Sequence, residues 1–187
     1  MTSVRERSNW PSAQPTLSDE VITIRPWHSD DAAWVFDACQ DPDIQRWTRV
    51  PAPYALSDAQ GFVGELAPSH WQNERGAPFA VTDSATGAGL GSVGLIVHDL
   101  VSGVAEAGYW TTPAARARGV TTAALLLLTD FAFRDLGLVR LELLVEVENA
   151  KSKAVAERAG YHCEGVLTKK VWKHGAHRDV ALFARTV

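Results

Sequence analysis

Arg116-Ala117-Arg118-Gly119-Val120-Thr121 is the stretch whose reading decides the fold. Before it, Val104 to Thr111 reads as a strand, with Glu106, Gly108 and Trp110 on one face and Ala105, Ala107 and Tyr109 on the other. After it, Val120, Ala124, Leu127, Leu128 and Phe131 recur at the spacing of one helix face, and Gly137 ends that helix. A loop between a strand and a long helix presents the helix's unpaired N–H groups and the positive end of its dipole, which suits a pyrophosphate. Gly119 lets the backbone come close, and Arg116 and Arg118 add charge. On its own the pattern fits a solvated strand-to-helix turn equally well. Two other phosphate chemistries are excluded: no Gly-Lys-Ser/Thr opens the helix, and no Gly-x-Gly-x-x-Gly follows the first strand.

Outward from the loop the chain alternates between strand and helix patterns. Val21 to Arg25 alternates apolar and polar residues up to Pro26 and reads as the first strand. Ser29 and Asp30 are candidate caps for a helix reaching Cys39. Asp41 to Ser57, with Pro42, Pro51 and Pro53, reads as an irregular connection that forms part of a substrate wall, and Ser57 to about Leu66 as a second helix. Pro78 to Thr82 begins a run of strands punctuated by Gly87, Gly89, Gly91 and Gly94, with a turn at Asp99 to Gly103. Leu141, Leu143, Val145 and Val147 alternate with Glu142, Glu146 and Glu148 as a strand, and Ala150 to Ala159 is a short helix closed by Gly160. His162 to Val187 reads as a hairpin turning near Lys173 to Ala176. Met1 to about Thr16 is polar and reads as a flexible tail, which leaves 17–187 as one domain.

A second element stands after the strand at Leu141 to Val147: Asn149-Ala150-Lys151-Ser152, then Gly160-Tyr161 and Glu164-Gly165. With Ile24-Arg25-Pro26-Trp27 and Asp31, Glu106 to Trp110, the Arg116 to Thr121 loop and Asp179 near the end, the chain resembles the GNAT superfamily of N-acetyltransferases. Within it, the chain is most similar to the RimJ/RimL type that acts on ribosomal proteins and small amines. The resemblance covers about Leu17 to Arg185. It implies an α/β (α+β) fold whose mixed, mostly antiparallel central sheet is flanked by helices and splays between the strands ending near Thr111 and Val147.

The resemblance also implies acetyl-CoA as acyl donor. Its pantetheine arm would lie in the split against the backbone of Tyr109, Trp110 and Thr111, and its pyrophosphate on the loop Arg116, Arg118, Gly119, Val120 and Thr121. Asn149 would contact the pantetheine and Ser152 would lie near the thioester sulfur. Thr121 stands where the family loop has Gly or Ala, so its hydroxyl either adds a hydrogen bond or crowds the phosphate. Many relatives carry a tyrosine acid seven residues after the Asn; here that position is Ala156, which directs attention to Ser152.

An amine near neutral pH is mostly protonated, so a base must act before attack on a thioester. Glu106, on a central strand, is the first candidate for that base; a cross-strand ion pair is its alternative role, and Glu142 and Glu146 stand in reserve. Ser152 is the candidate acid, and a backbone N–H at the splayed strand is the candidate oxyanion donor. Trp47 and Trp71 are candidate walls of the acceptor pocket, the other tryptophans packing residues. Lys151, Lys153 and Arg158 form a basic strip that is either a site for a 3′-phosphate or ordinary helix solvation.

Composition narrows the classes of partner. Of 187 residues, 46% are hydrophobic and 21% charged, and the formal net charge is -4. A sequence pI of 5.8 gives no global basic field for nucleic acid. The apolar run Ala123 to Leu128 is too short to cross a membrane. The six histidines form no ligand spacing, so no metal is expected, and Cys39 and Cys163 read as buried, inert thiols of a reducing compartment. The expectation is a cytoplasmic enzyme, monomeric or a homodimer, that moves an acetyl or other short acyl group to a primary amine: a protein N-terminus, a lysine or a small molecule. The alternative is a catalytically silent module that binds coenzyme A.

Overall fold

Strand β2 (Ile22–Arg25) ends at a proline, and the chain turns through Ser29–Asp31 into helix α1 (Ala32–Cys39). A computed structural model describes residues 10–173 and 175–187. Its eight strands form one sheet in the order β1-β2-β3-β4-β5-β6-β8-β7, where β1 is Leu17–Ser18, β3 Gly76–Asp83, β4 Gly89–Asp99, β5 Val104–Thr111, β6 Arg140–Glu146, β7 His162–Lys173 and β8 Ala176–Thr186. Every neighbouring pair is antiparallel except β5 and β6, which run parallel and are joined by helix α5 (Val120–Arg134). The mixed sheet with helices agrees with the expected fold class.

The parallel pair is short. It registers Val104 with Arg140, Ala105 with Leu141 and Glu106 with Glu142, and stops. Beyond those positions β5 stays on β4, and β6 on β8. The two halves of the sheet therefore part as a V whose arms are the last residues of β5 and β6.

One face of the sheet is covered by α5, which buries Ala124, Leu125, Leu128, Phe131 and Ala132 against Ile22, Ile24, Phe79, Val93, Leu95, Ala105 and Ala107. Each large aliphatic side chain buried there contributes roughly 1.5–3 kcal/mol. A second core, with Trp27, Val35, Cys39, Ile44, Ala59 and Val63, lies between the N-terminal helices and Ala80. Gly91 allows β4 and β5 to approach, since a Cβ there would come 2.3 Å from the Trp110 carbonyl oxygen.

The N-terminal region departs from its sequence reading in three places. Asp41 to Ser57 is not all irregular: helix α2 (Pro42–Trp47) forms because the Asp41 side chain accepts from the Ile44 N–H and Pro42 sits in the first turn, where its missing donor is harmless. The next helix does not stop at Leu66. Helix α3 (Leu56–Gly61) widens through Phe62–Leu66, where the Ala67 N–H reaches the Phe62 carbonyl, and continues as α4 (Ala67–Gln72), so that Pro68 is accommodated within the run. Residues Trp10 to Thr16 of the expected tail are docked: Trp10 donates to the Trp71 carbonyl at 3.1 Å and Gln14 to that of Pro78 at 2.8 Å. The rest of that tail, and His174 in the final turn, lie outside the described residues.

Cys163 is exposed rather than buried, because β7 is an edge strand with little laid over it, and Trp172 is exposed for the same reason. Cys39 is buried, and burial pushes its thiol up to about 11. No helix among the described residues is long and apolar enough to cross a membrane. Helix α6 (Ala150–Arg158) follows β6 and completes the list of elements.

Asp31 ties β2 to α1. Its carboxylate takes two 2.8 Å bonds from the Arg25 guanidinium, one from the Trp34 indole and one from the His28 N–H. Burial alone would raise its pKa, but these donors outweigh burial and hold it at about 2. A carboxyl depressed in the folded state stabilises the fold above its unfolded pKa and loses that contribution as pH falls toward the folded value. Urea unfolding is therefore expected to show stability falling between about pH 4 and pH 2, and Asp31→Asn to lower it by about 2 kcal/mol at pH 7 while flattening that acid limb. An unchanged acid limb in the variant would contradict this account.

Candidate functional site

The V between β5 and β6 opens into a cleft of about 950 Å³, within the range of small-molecule sites. Thr112 donates its N–H to the Leu90 carbonyl of β4, so by strand alternation the even-numbered residues Gly108 and Trp110 also turn their polar groups to β4. Tyr109 and Thr111 then direct theirs into the gap that β6 has left. Two consecutive backbone edges with no ladder partner face the cleft, an arrangement that calls for a ligand or water.

At the mouth of the V lies the loop into α5. Ala117 (φ 59°) and Gly119 (φ 79°) both adopt the left-handed region, a turn that gathers successive N–H groups into a concavity suited to anions. No side chain caps α5, and no heavy atom lies within 4 Å of where a Cβ on Gly119 would sit. The first amides of a 15-residue helix are thus open to the cleft. Thr121 does not crowd this space: its hydroxyl is 2.6 Å from that of Thr111 and pins the helix start to the end of β5. Arg118 is exposed on the outside of the loop with its charge acting on Asp83, and the Val120 side chain is buried in the core.

Arg116 is engaged elsewhere. Its guanidinium is paired with Asp41 and lies 3.5 Å from Asp43, so it fastens α2 to the loop; burial raises the Asp41 pKa and the Arg116 bonds bring it down overall. Lys151 comes within 4.0 Å of Asp43, and Arg46 within 3.3 Å of Glu148, so α2 is latched to both sides of the cleft. It carries Trp47 into the wall, where the ring lies under the Arg46 guanidinium at 4.4 Å and near the Lys173 ammonium at 5.9 Å. Trp71 is not in the cleft. It is buried in the main core, stacked on Phe131 and against Trp10, because the helical run that carries it continues past Leu66 and delivers it beneath β3.

On the opposite arm, Asn149 caps α6 by accepting the Ser152 N–H at 3.0 Å, which leaves its amide NH2 for a ligand. Ser152 Oγ lies 2.8 Å from the Tyr109 hydroxyl, which also reaches the Ser152 carbonyl at 3.2 Å. Burial pushes the Tyr109 phenol up to about 12, partly opposed by the bond to Ser152, so it is protonated at neutral pH. The sequence reading valued Tyr109 for its backbone alone. Its side chain spans the V and brings a phenol to Ser152, whereas the family's tyrosine position is Ala156, buried on α6. The inward face shared with Ala105 and Ala107 was the available signal.

Glu106 stands at the vertex of the V, with a side chain 17% exposed; Arg49 is 3.9 Å from one oxygen and His98 3.4 Å from the other. The carboxylate faces the cleft and has the Arg49 guanidinium and the His98 ring beside it. Glu142 is held by Arg140 at 2.7 Å and Glu146 by Lys173, a pair that is largely enclosed. Among the described residues no group of three or more His, Cys, Asp or Glu is placed to hold a metal.

Comparison with known proteins agrees with this geometry. Over 98 residues the chain is 35% identical to the putative ribosomal N-acetyltransferase YdaF of Bacillus subtilis, an alignment covering 52% of this chain and about half, 54%, of that protein. It is 26% identical over 158 residues to spermidine N(1)-acetyltransferase of Escherichia coli, covering 84% and 82% of the two chains. The solved structure of Mycobacterium smegmatis RimJ in complex with CoA-disulfide superposes with a TM-score of 0.82 at 26% identity, covering 97% of this chain and 90% of that one. The family model described as Acetyltransferase (GNAT) domain matches residues 22–162, from β2 through α6. The split sheet, the open helix start beside it and this match together identify the chain as a member of the GNAT acetyltransferase family.

Proposed function

We propose that this protein transfers an acetyl group from acetyl-CoA to a primary amine, by direct attack while both substrates are bound. The observation that carries the reading is the continuity of one cleft from the open amides of the α5 loop, along the unpaired edge of β5, to the carboxylate of Glu106. The residues fit the donor. The amides of Gly119, Val120 and Thr121 would hold the pyrophosphate, the Tyr109 and Thr111 edge and the Asn149 amide would hold the pantetheine, and Lys151 and Arg158, which line the cleft, would supply charge. Acetyl-CoA supplies a thioester whose acyl carbon is open to attack by nitrogen.

Glu106 takes the proton of the arriving ammonium, directly or through a water, and so produces the neutral nucleophile. As the C–N bond forms and the C–S bond breaks, unpaired N–H groups of the β5 edge meet the negative charge that develops on the carbonyl oxygen. Tyr109 orients Ser152: when the phenol donates to Ser152 Oγ, the serine proton is turned toward the cleft, where it stabilises the departing thiolate. The second amine proton completes the thiol. Arg116 holds α2, and with it Trp47, against the cleft rather than binding phosphate itself.

Release of free thiol from acetyl-CoA with a panel of primary amines tests the reading, and tight coenzyme A binding with no turnover on any amine would sink it. Glu106→Gln is expected to lower kcat by about 10²-fold or more while leaving the affinity for coenzyme A nearly unchanged. Wild-type turnover in that variant would remove Glu106 as base. Gly119→Val is expected to raise the donor KM by tenfold or more, on the order of the strain of a branched residue at φ 79° plus a blocked amide. Arg116→Ala is expected to act chiefly on the acceptor KM, as is Asp41→Asn; a large rise in donor KM for Arg116→Ala alone would return that side chain to the phosphate.

A further inference from the structure

Resting on the transfer reading, the charges around Glu106 narrow the class of acceptor. Past Glu106 the cleft continues into a second hollow of about 510 Å³ whose wall includes Arg49, His98, Lys170 and Trp172. Every carboxylate that lines the two cavities already faces a cation of the protein. Asp43 faces Arg116 and Lys151, Glu106 faces Arg49 with the His98 ring on its other side, Glu142 is bound by Arg140 and Glu146 by Lys173. Lys170, exposed on β7, has no carboxylate within 4 Å among the described residues. A polyamine would bring two or more further ammonium groups into a hollow whose unmatched charge is positive.

We propose that the acceptor is a primary amine carrying an anionic group close to it, and specifically a peptide α-amino group followed by an acidic residue. Its ammonium goes to Glu106, its side-chain carboxylate to Arg49 and Lys170, and its backbone passes over the exposed ring of Trp172. The arrangement has a chemical consequence for the first proton transfer. Arg49 lies 3.9 Å from Glu106, so an anion that draws the guanidinium away frees a carboxylate oxygen as the amine arrives. A second cation on the acceptor would instead be repelled by Arg49 and Lys170, and such rim charges discriminate between partners more than they add affinity.

Thiol release is measured with acetyl-CoA and three acceptors: Ala-Asp-Ala amide, Ala-Lys-Ala amide and spermidine. The expected result is a kcat/KM for the Asp peptide about fivefold or more above that for the Lys peptide, with spermidine weakest and the margin shrinking as salt rises. Lys170→Glu, a change at an exposed position, is expected to invert the order of the two peptides without moving the acetyl-CoA KM. Calorimetric binding of the same peptides to the coenzyme A-loaded protein supplies a readout that needs no turnover. Equal values for the two peptides, or spermidine ahead of both, overturn the proposal. Ordered peptide binding without thiol release overturns the transfer reading and leaves the charge preference standing.

Discussion

A parallel ladder of only three residue pairs governs this molecule. Val104 to Glu106 pair with Arg140 to Glu142, and there the strands part. A longer ladder would satisfy the backbone of Tyr109 and Thr111 internally and leave no cleft. A shorter one would uncouple the antiparallel strands β1 to β5 from β6, β8 and β7. The parting is stable because each half keeps its own antiparallel neighbour and because α5 and Tyr109 span the gap, the helix through the core and the phenol through Ser152. Backbone groups left unpaired in such a place stay costly until something hydrogen-bonds to them.

The chemistry is gathered at that fork by the strands themselves. Glu106 is the last residue of β5 paired with β6, so it stands at the vertex by register rather than by loop placement. The uncapped amides of α5 follow at the end of the same strand, through a loop in which Ala117 and Gly119 accept left-handed geometry. The proposed donor site and the proposed base are thus two ends of one strand. Alignment of this kind favours a reaction that depends on approach of two bound molecules.

The acceptor side is built differently. Helix α2 is short and contributes one fully buried side chain, Ile44, so its position depends on polar ties: Asp41 and Asp43 to Arg116, Lys151 to Asp43, Arg46 to Glu148. The outer pairs, Lys151–Asp43 and Arg46–Glu148, are exposed and each weak, so Arg116–Asp41 is the firmest of these ties. The adjoining hollow is rimmed by Arg49, His98 and Lys170 from three separate segments. A cleft with one wall built on a strand and the other held by charges suits the proposed pairing of a fixed donor with an acceptor chosen by its own charge.

Local pattern determined the elements and their order. Period-two alternation at Val104 to Thr111 and Leu141 to Val147, helical spacing from Val120 to Phe131, and glycines after the helices were legible because each is decided by neighbours within a few residues. The Arg116 to Thr121 and Asn149 to Ser152 stretches were legible as candidate turns for the same reason, since each is contiguous, and both line the cleft. The pairing of Arg116 with Asp41, the burial of Trp71, the exposure of Cys163 and the phenol of Tyr109 at Ser152 were decided only by tertiary structure. Each depends on where distant segments lie: Asp41 is 75 residues from Arg116 and Ser152 is 43 from Tyr109, while Cys163 is exposed because β7 lies at the sheet's edge. A sequence states what a side chain can do, and the packing of distant segments decides which of those things it is free to do.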